Sequence, residues 1–296
     1  MKITAGEKVF YSINYLFLSL IALGCLYPFV YIIATSLSSN RAVSSGEVSV
    51  WPVEFNLEAY HQLILDGQIF ISMRNTVLIT VAGTSLSMAF TVLCAYSLSK
   101  KRLRFRGVFM ALIVFTMMFG GGMIPNFLLV RNLGLMNTYW ALWLPGLIGT
   151  YNMIVLRTFF QGIPDSLEEA AQIDGAGDAY ILVRIVLPLS GAALATITLF
   201  YAVGWWNTYF SAVMYITSSV KYPLMVRLRA MLDMARMLTV QAQLGLGGAA
   251  ELEITQVAIE SFRAASIFVS VLPIIAVYPF LQRYFVKGVM IGSVKG

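Results

Sequence analysis

Acidic residues crowd one short segment of a basic chain. Glu168, Glu169, Asp174 and Asp178 lie in Gly162-Ile163-Pro164-Asp165-Ser166-Leu167-Glu168-Glu169-Ala170-Ala171-Gln172-Ile173-Asp174-Gly175-Ala176-Gly177-Asp178-Ala179-Tyr180, although the net charge of the whole chain is +6. Ser166 and Glu169 have capping-box spacing, which predicts a helix beginning at Ser166 with two amide donors satisfied by side chains. Leu167, Ala170 and Ala171 then share a face small enough for a neighbouring backbone to approach, and Gly175 supplies a left-handed stop. Such a helix of about nine residues is too short to persist alone in water. It needs a surface to dock on.

Residues that could make or break bonds are scarce. The only histidine is His61, and the two cysteines, Cys25 and Cys94, sit in apolar runs without CxxC or Cys/His spacing. They read as small buried hydrophobes, with no disulfide framework or metal site implied. No nucleophile stands beside a base, so no catalytic constellation is present. No GxxxxGK[ST] phosphate loop occurs, and Gly245-Leu246-Gly247-Gly248 has no following Lys-Ser/Thr pair. What the apolar stretches do hold is neutral: Asn126 after Gly120-Gly121-Gly122 and Pro125, Tyr151 and Asn152, and Tyr201, Trp205, Trp206 and Asn207. Singly, these suit helix packing or a membrane-interface belt. Together they suit a neutral polyhydroxylated solute, whose ring faces stack on aromatics and whose hydroxyls pair with amides.

The elements that must carry these groups follow from composition. Of 296 residues, 59% are hydrophobic and 11% charged, with mean hydropathy +0.79. A disordered chain and a conventional soluble enzyme are excluded, and the solvent is a bilayer. Six stretches are long enough to cross it as helices, at 12–34, 75–97, 107–130, 138–160, 188–210 and 266–286. The basic residues cluster beside these spans, which argues for headgroup contact and against nucleic acid. Ser99 to Arg106 holds five basic residues in eight positions, against one in Arg131 to Asn137, so the former loop is expected inside. Six spans then place both termini in the cytoplasm, the loop 161–187 inside and the loop 211–265 outside. Within the outer loop, 222–238 and 251–265 have helical spacing around the glycine break, as surface helices or a platform for an external protein. The span middles lack ionisable groups, which argues against proton coupling.

One pattern resembles a known family. Glu169-Ala170-Ala171, three residues, Gly175, nine residues, Ile185, one residue and Leu187-Pro188 match the EAA loop of permease subunits in binding-protein-dependent ABC importers. The flanking Asn137-Thr138-Tyr139-Trp140-Ala141-Leu142 and the tail from Gln282 to Gly296 are similar to the carbohydrate-uptake branch, although Ser293 stands where alanine is more usual. Within that branch the chain looks most like the maltose-type second permease subunit, in the group serving complex oligosaccharides. The resemblance implies an all-α membrane protein of the type I ABC importer permease fold, with 1–296 a single transmembrane domain in the bacterial inner (cytoplasmic) membrane. It implies a second homologous permease subunit, two ATPase subunits, an external solute-binding protein and an oligosaccharide or polysaccharide fragment as cargo. ATP and Mg would be bound by the partner ATPase, leaving this chain no cofactor and no enzymatic role. Leu167, Glu168, Glu169, Ala170, Ala171, Asp174 and Gly175 would form the coupling helix, its acidic residues meeting a positive rim on the ATPase. Asn126, Tyr151, Asn152, Tyr201, Trp205 and Asn207 would line the pathway. An amino-acid or peptide permease shares the EAA pattern, and an ATP-independent sugar carrier is a further alternative.

Overall fold

The computed structural model describes residues 5–244 and 260–276, and every regular element among them is a helix. They are α1 (Ala5–Ser36), α2 (Asn40–Ser44), α3 (Glu58–Asp66), α4 (Gln68–Ser99), α5 (Arg106–Met118), α6 (Met123–Asn132), α7 (Trp140–Trp143) and α8 (Thr150–Gln161). There follow α9 (Asp165–Ile173), α10 (Asp178–Ile181), a π-helical turn (Leu182–Val186), α11 (Leu187–Leu189), α12 (Gly191–Trp206), α13 (Phe210–Tyr215) and α14 (Leu224–Gln243). A last helix covers 260–276. The expected surface segment 251–265 lies mostly outside the described residues, as do the glycine break at 245–248, the second half of the span 266–286 and the tail that resembles the carbohydrate branch.

The described residues form two compact units, one from 5–70, 227–244 and 260–273, the other from 71–226 and 274–276. In the first, α1 exposes almost its whole length, with Phe10, Tyr15, Leu16, Phe17 and Leu23 all more than 60% accessible. Such a surface is stable only in lipid or against another subunit. The turn after α1 is tied by hydroxyls: Ser38 Oγ donates to the Ala34 carbonyl at 2.6 Å, and the Val53 amide donates to Ser38 Oγ at 3.0 Å. Ser39 caps α2 by accepting from the Ala42 amide.

The second unit is organised around α4. Among the described residues, two helices, 6–36 and 68–99, are long and apolar enough to span a membrane, and up to four if each of two bent pairs is one span. The stretch 107–130, read from hydropathy as continuous, is α5 and α6 meeting at 112°. The Gly120-Gly121-Gly122 run causes the break: Gly122 caps α6 at φ +84°, and a Cβ on Gly120 would meet nothing, so these glycines turn the chain rather than admit a neighbour. The stretch 138–160 is likewise divided into α7 and α8. Residues 178–189 and 191–206 meet at 86°, and Pro188 sits before that bend instead of opening a span. Proline lacks the donor for the Arg184 carbonyl and crowds it. The register there loosens, and the Leu187 amide reaches back five residues to Leu182.

α8 packs on both α5 and α12, and α13 packs on α6 and α7. One apolar core joins Val92, Ala95, Tyr96 and Leu98 of α4 to Met153, Leu156 and Phe160 of α8 and to Ile181, Leu182 and Val186. A second joins Ile79 to Val130, Leu142, Ala212, Tyr215 and Val226. Down α4 runs a buried polar stripe of Ser72, Thr76, Thr84, Ser87 and Thr91 at helical spacing. It receives bonds from other elements, including the Leu224 amide on Thr76 Oγ1 at 2.8 Å.

Candidate functional site

The acidic segment forms α9, nine residues long as the sequence implies, but it begins at Asp165 with Pro164 in the cap position. No side chain caps it, so the capping box expected from Ser166 and Glu169 does not form. Proline supplies a fixed extended residue just ahead of the helix, and Asp165 and Glu168 in the first turn complement its dipole. The end is a Schellman motif: the Ala176 amide donates to Ala171 O at 2.9 Å and the Gly175 amide to Gln172 O at 3.0 Å, with Gly175 at φ +82°. Ala171 and Ala176 pack together against the α4–α8 core, the apolar contact that accompanies this motif.

No residue of α9 is fully buried. Ala171 faces the core, whereas Glu169 and Ala170 are exposed, Leu167 is 44% accessible and Ile173 86%. Ile173, the last residue of α9, is the barest large apolar side chain of the helix. The acidic residues divide into two groups. Glu168 pairs with Lys100, Asp165 with Lys101 at 2.9 Å, and Asp178 with Arg102, so the basic turn between α4 and α5 neutralises much of the loop. Glu169 and Asp174 are exposed and have no ion-pair partner among the described residues. The hydrogen bond and charge of the Lys101 ammonium hold Asp165 below the usual carboxylate range.

The neutral polar groups gather at the other site. A cavity of about 470 Å³ is lined by Asn152, Tyr201, Trp205 and Asn207 together with Phe200, Thr208, Tyr209 and Phe210. A second, of about 310 Å³, is lined by Asn126, Trp205, Met123, Pro145 and Tyr215. Gly146, Trp205, Phe210 and Ser211 border both cavities, and none of the lining residues is charged. Five of the six residues read from the sequence therefore converge on them. Tyr151 lines neither and is 60% accessible.

Trp205 and Tyr201 are held from α4. Trp205 Nε1 donates to Ser87 Oγ at 3.2 Å, and a Cβ on Gly83 would lie 2.8 Å from the indole. Gly146 faces the far end of the indole, where a Cβ would sit at 3.2 Å. The Tyr201 hydroxyl accepts from the Gly149 amide at 2.8 Å and lies 2.6 Å from Thr91 Oγ1. Tyr201 is therefore a buried structural wall, while Asn126 and Asn207 are exposed. Gly83, Ser87, Thr91 and Gly146 escaped the sequence reading. The hydroxyls at helical spacing in α4 were the available signal.

Residues 68–291 match the family described as binding-protein-dependent transport system inner membrane component. The chain belongs to that family. It is 43% identical to the polygalacturonan/rhamnogalacturonan transport system permease protein YtcP of Bacillus subtilis, over 98% of this chain and 99% of that one. It is 40% identical to Protein LplC of the same organism, over 99% and 97% of the two chains. Among solved structures, a bacterial ABC transporter chain involved in import of the acidic polysaccharide alginate superposes with TM-score 0.84 at 37% identity, covering 96% of this chain and 99% of that chain. Proteins of this family are membrane components of transporters, and this chain is a permease rather than an enzyme.

Proposed function

We propose that the chain forms one wall of the import path for an oligosaccharide cut from an acidic polysaccharide. It is a multi-pass permease subunit of an ATP-driven carbohydrate importer in the inner membrane, working with a partner permease, an ATPase and a solute-binding protein. In this reading the complex holds one further homologous permease and two ATPases, both termini of this chain are cytoplasmic, and α9 seats on an ATPase. The observation that carries the cargo is the near-full-length likeness to a permease named for polygalacturonan/rhamnogalacturonan transport and to a chain of a transporter involved in import of the acidic polysaccharide alginate. The two cavities beside Trp205 support it, since a flat indole and neutral amides suit sugar rings and hydroxyls. Carboxylates of the cargo remain hydrated or meet groups elsewhere in the complex.

The mechanism follows from the division of labour. Closure of the ATPases around nucleotide would move α9 through Leu167, Ala170 and Ile173. The bends at 119–122 and at Ser190 let the flanking helices rock, so the cavities face one side and then the other. ATP and Mg belong to the partner.

The test is uptake by proteoliposomes holding the complete complex, ATP inside and binding protein outside. A labelled oligogalacturonide accumulates, and Trp205→Ala cuts that accumulation roughly tenfold through lost stacking. Tyr151→Ala leaves it near the wild-type rate. Accumulation of peptides or amino acids in place of sugar would contradict the proposal.

A further inference from the structure

Lys100, Lys101 and Arg102 are consecutive, and each is paired with a different carboxylate of the docking loop, Glu168, Asp165 and Asp178 respectively. Two of these partners lie on α9 and the third opens α10, so the three bonds straddle the Gly175 turn. The innermost pair is shielded, with Lys100 and Glu168 side chains only 16% and 14% accessible. The Lys100 ammonium also lies 4.2 Å from the centroid of the Tyr96 ring, which packs edge-on against Phe160. On the same turn, Arg157 Nε of α8 donates to the Leu98 carbonyl at 2.9 Å. An isolated surface ion pair contributes little, but a shielded pair joined to a cation–π contact and flanked by two more pairs resists separation.

We propose that the Lys100-Lys101-Arg102 turn and the docking loop move as one body, a salt-bridge latch carrying the displacement of α9 directly into α4. Besides the latch, Ile163, Ala171 and Ala176 of the loop pack on the α4–α8 core, and the covalent route from α9 to α12 passes through a loosened π turn and an 86° bend. The latch bypasses that compliant route. α4 is a single unbroken helix, and its Ser87 and Thr91 hold Trp205 and Tyr201 at the cavity wall. Glu168 thus acts as a positioning residue within this chain instead of a contact for the ATPase. The inference rests on the reading that α9 seats on the ATPase.

The experiment uses the complete complex in proteoliposomes and reads sugar imported per ATP hydrolysed. Lys100→Glu and Glu168→Lys should each lower that ratio roughly tenfold, the size of a typical coupling energy, and Lys100→Glu with Glu168→Lys should largely restore it. Unchanged ratios in the single variants, or no recovery in the double, would overturn the latch. In a second arm, Lys101→Cys and Asp165→Cys are joined by a short bis-maleimide after Cys25→Ser and Cys94→Ala remove the native thiols. A body that stays together keeps importing when joined; arrest of uptake would contradict the proposal. An Ala170→Cys crosslink to the ATPase is measured in the same vesicles. Its absence would overturn the docking reading, whereas its presence with an unaltered import ratio would overturn the latch alone.

Discussion

Gly175 shows how much one residue determines and why. Its φ of +82° is needed for the Schellman end of α9, yet a Cβ there would meet nothing within 4 Å. The requirement inside this chain is therefore backbone conformation and not space. Gly175→Val should strain the turn by about 1–2 kcal/mol, abolishing uptake while ATP hydrolysis continues uncoupled in assembled complexes. Gly175→Asn, which tolerates the left-handed region, should retain much of the uptake. Asp165 offers a spectroscopic check. Because Lys101 depresses its folded pKa, the pair is fully present above the ordinary aspartate value of about 3.9 and is lost only as pH falls through the lower folded value. A carboxyl titration followed by NMR should place the Asp165 midpoint below that ordinary value, and Lys101→Ala should return it there.

At the scale of elements, α4 is the frame on which the cavity wall hangs. Gly83→Ala would place a methyl 2.8 Å from the Trp205 ring, and the rigid indole has Gly146 beside its far end. The expected loss is about 1–3 kcal/mol of stability, read as a lower unfolding temperature of the purified complex together with slower uptake. Ser87→Ala should cost less, about 0.5–1.5 kcal/mol, because it removes one hydrogen bond without overpacking. The length of α9 and its glycine stop were legible in the sequence, since both depend on local rules. Its true start was not, because Pro164 takes the cap position, and neither was the pairing of Glu168 with Lys100, a residue 68 positions away. Opposite charges in two loops signal a pairing, but they do not reveal which residues meet until the α4–α8 core brings the loops together.

Among the described residues, the apolar runs hold helices, but the runs do not show where those helices bend. Hydropathy averages over direction, so the turns at Gly120–Gly122, between α7 and α8, and at Ser190 are invisible to it, although the turn between α7 and α8 lines the cavities through Pro145 and Gly146. Broken backbone is tolerated at membrane depth where protein or a cavity covers it, and the two cavities adjoin residues of the broken segments. The convergence of Asn126, Asn152, Tyr201, Trp205 and Asn207 was legible only as a list of neutral groups. In the proposed function the chain supplies one wall of the conduit and a handle, and its energy comes from a partner ATPase. The most direct measurement is accumulation of labelled oligosaccharide in proteoliposomes with and without the ATPase subunits and internal ATP. The account predicts accumulation only when permeases, ATPases, nucleotide and external binding protein are all present. Accumulation against a gradient by this chain without an ATPase would contradict it.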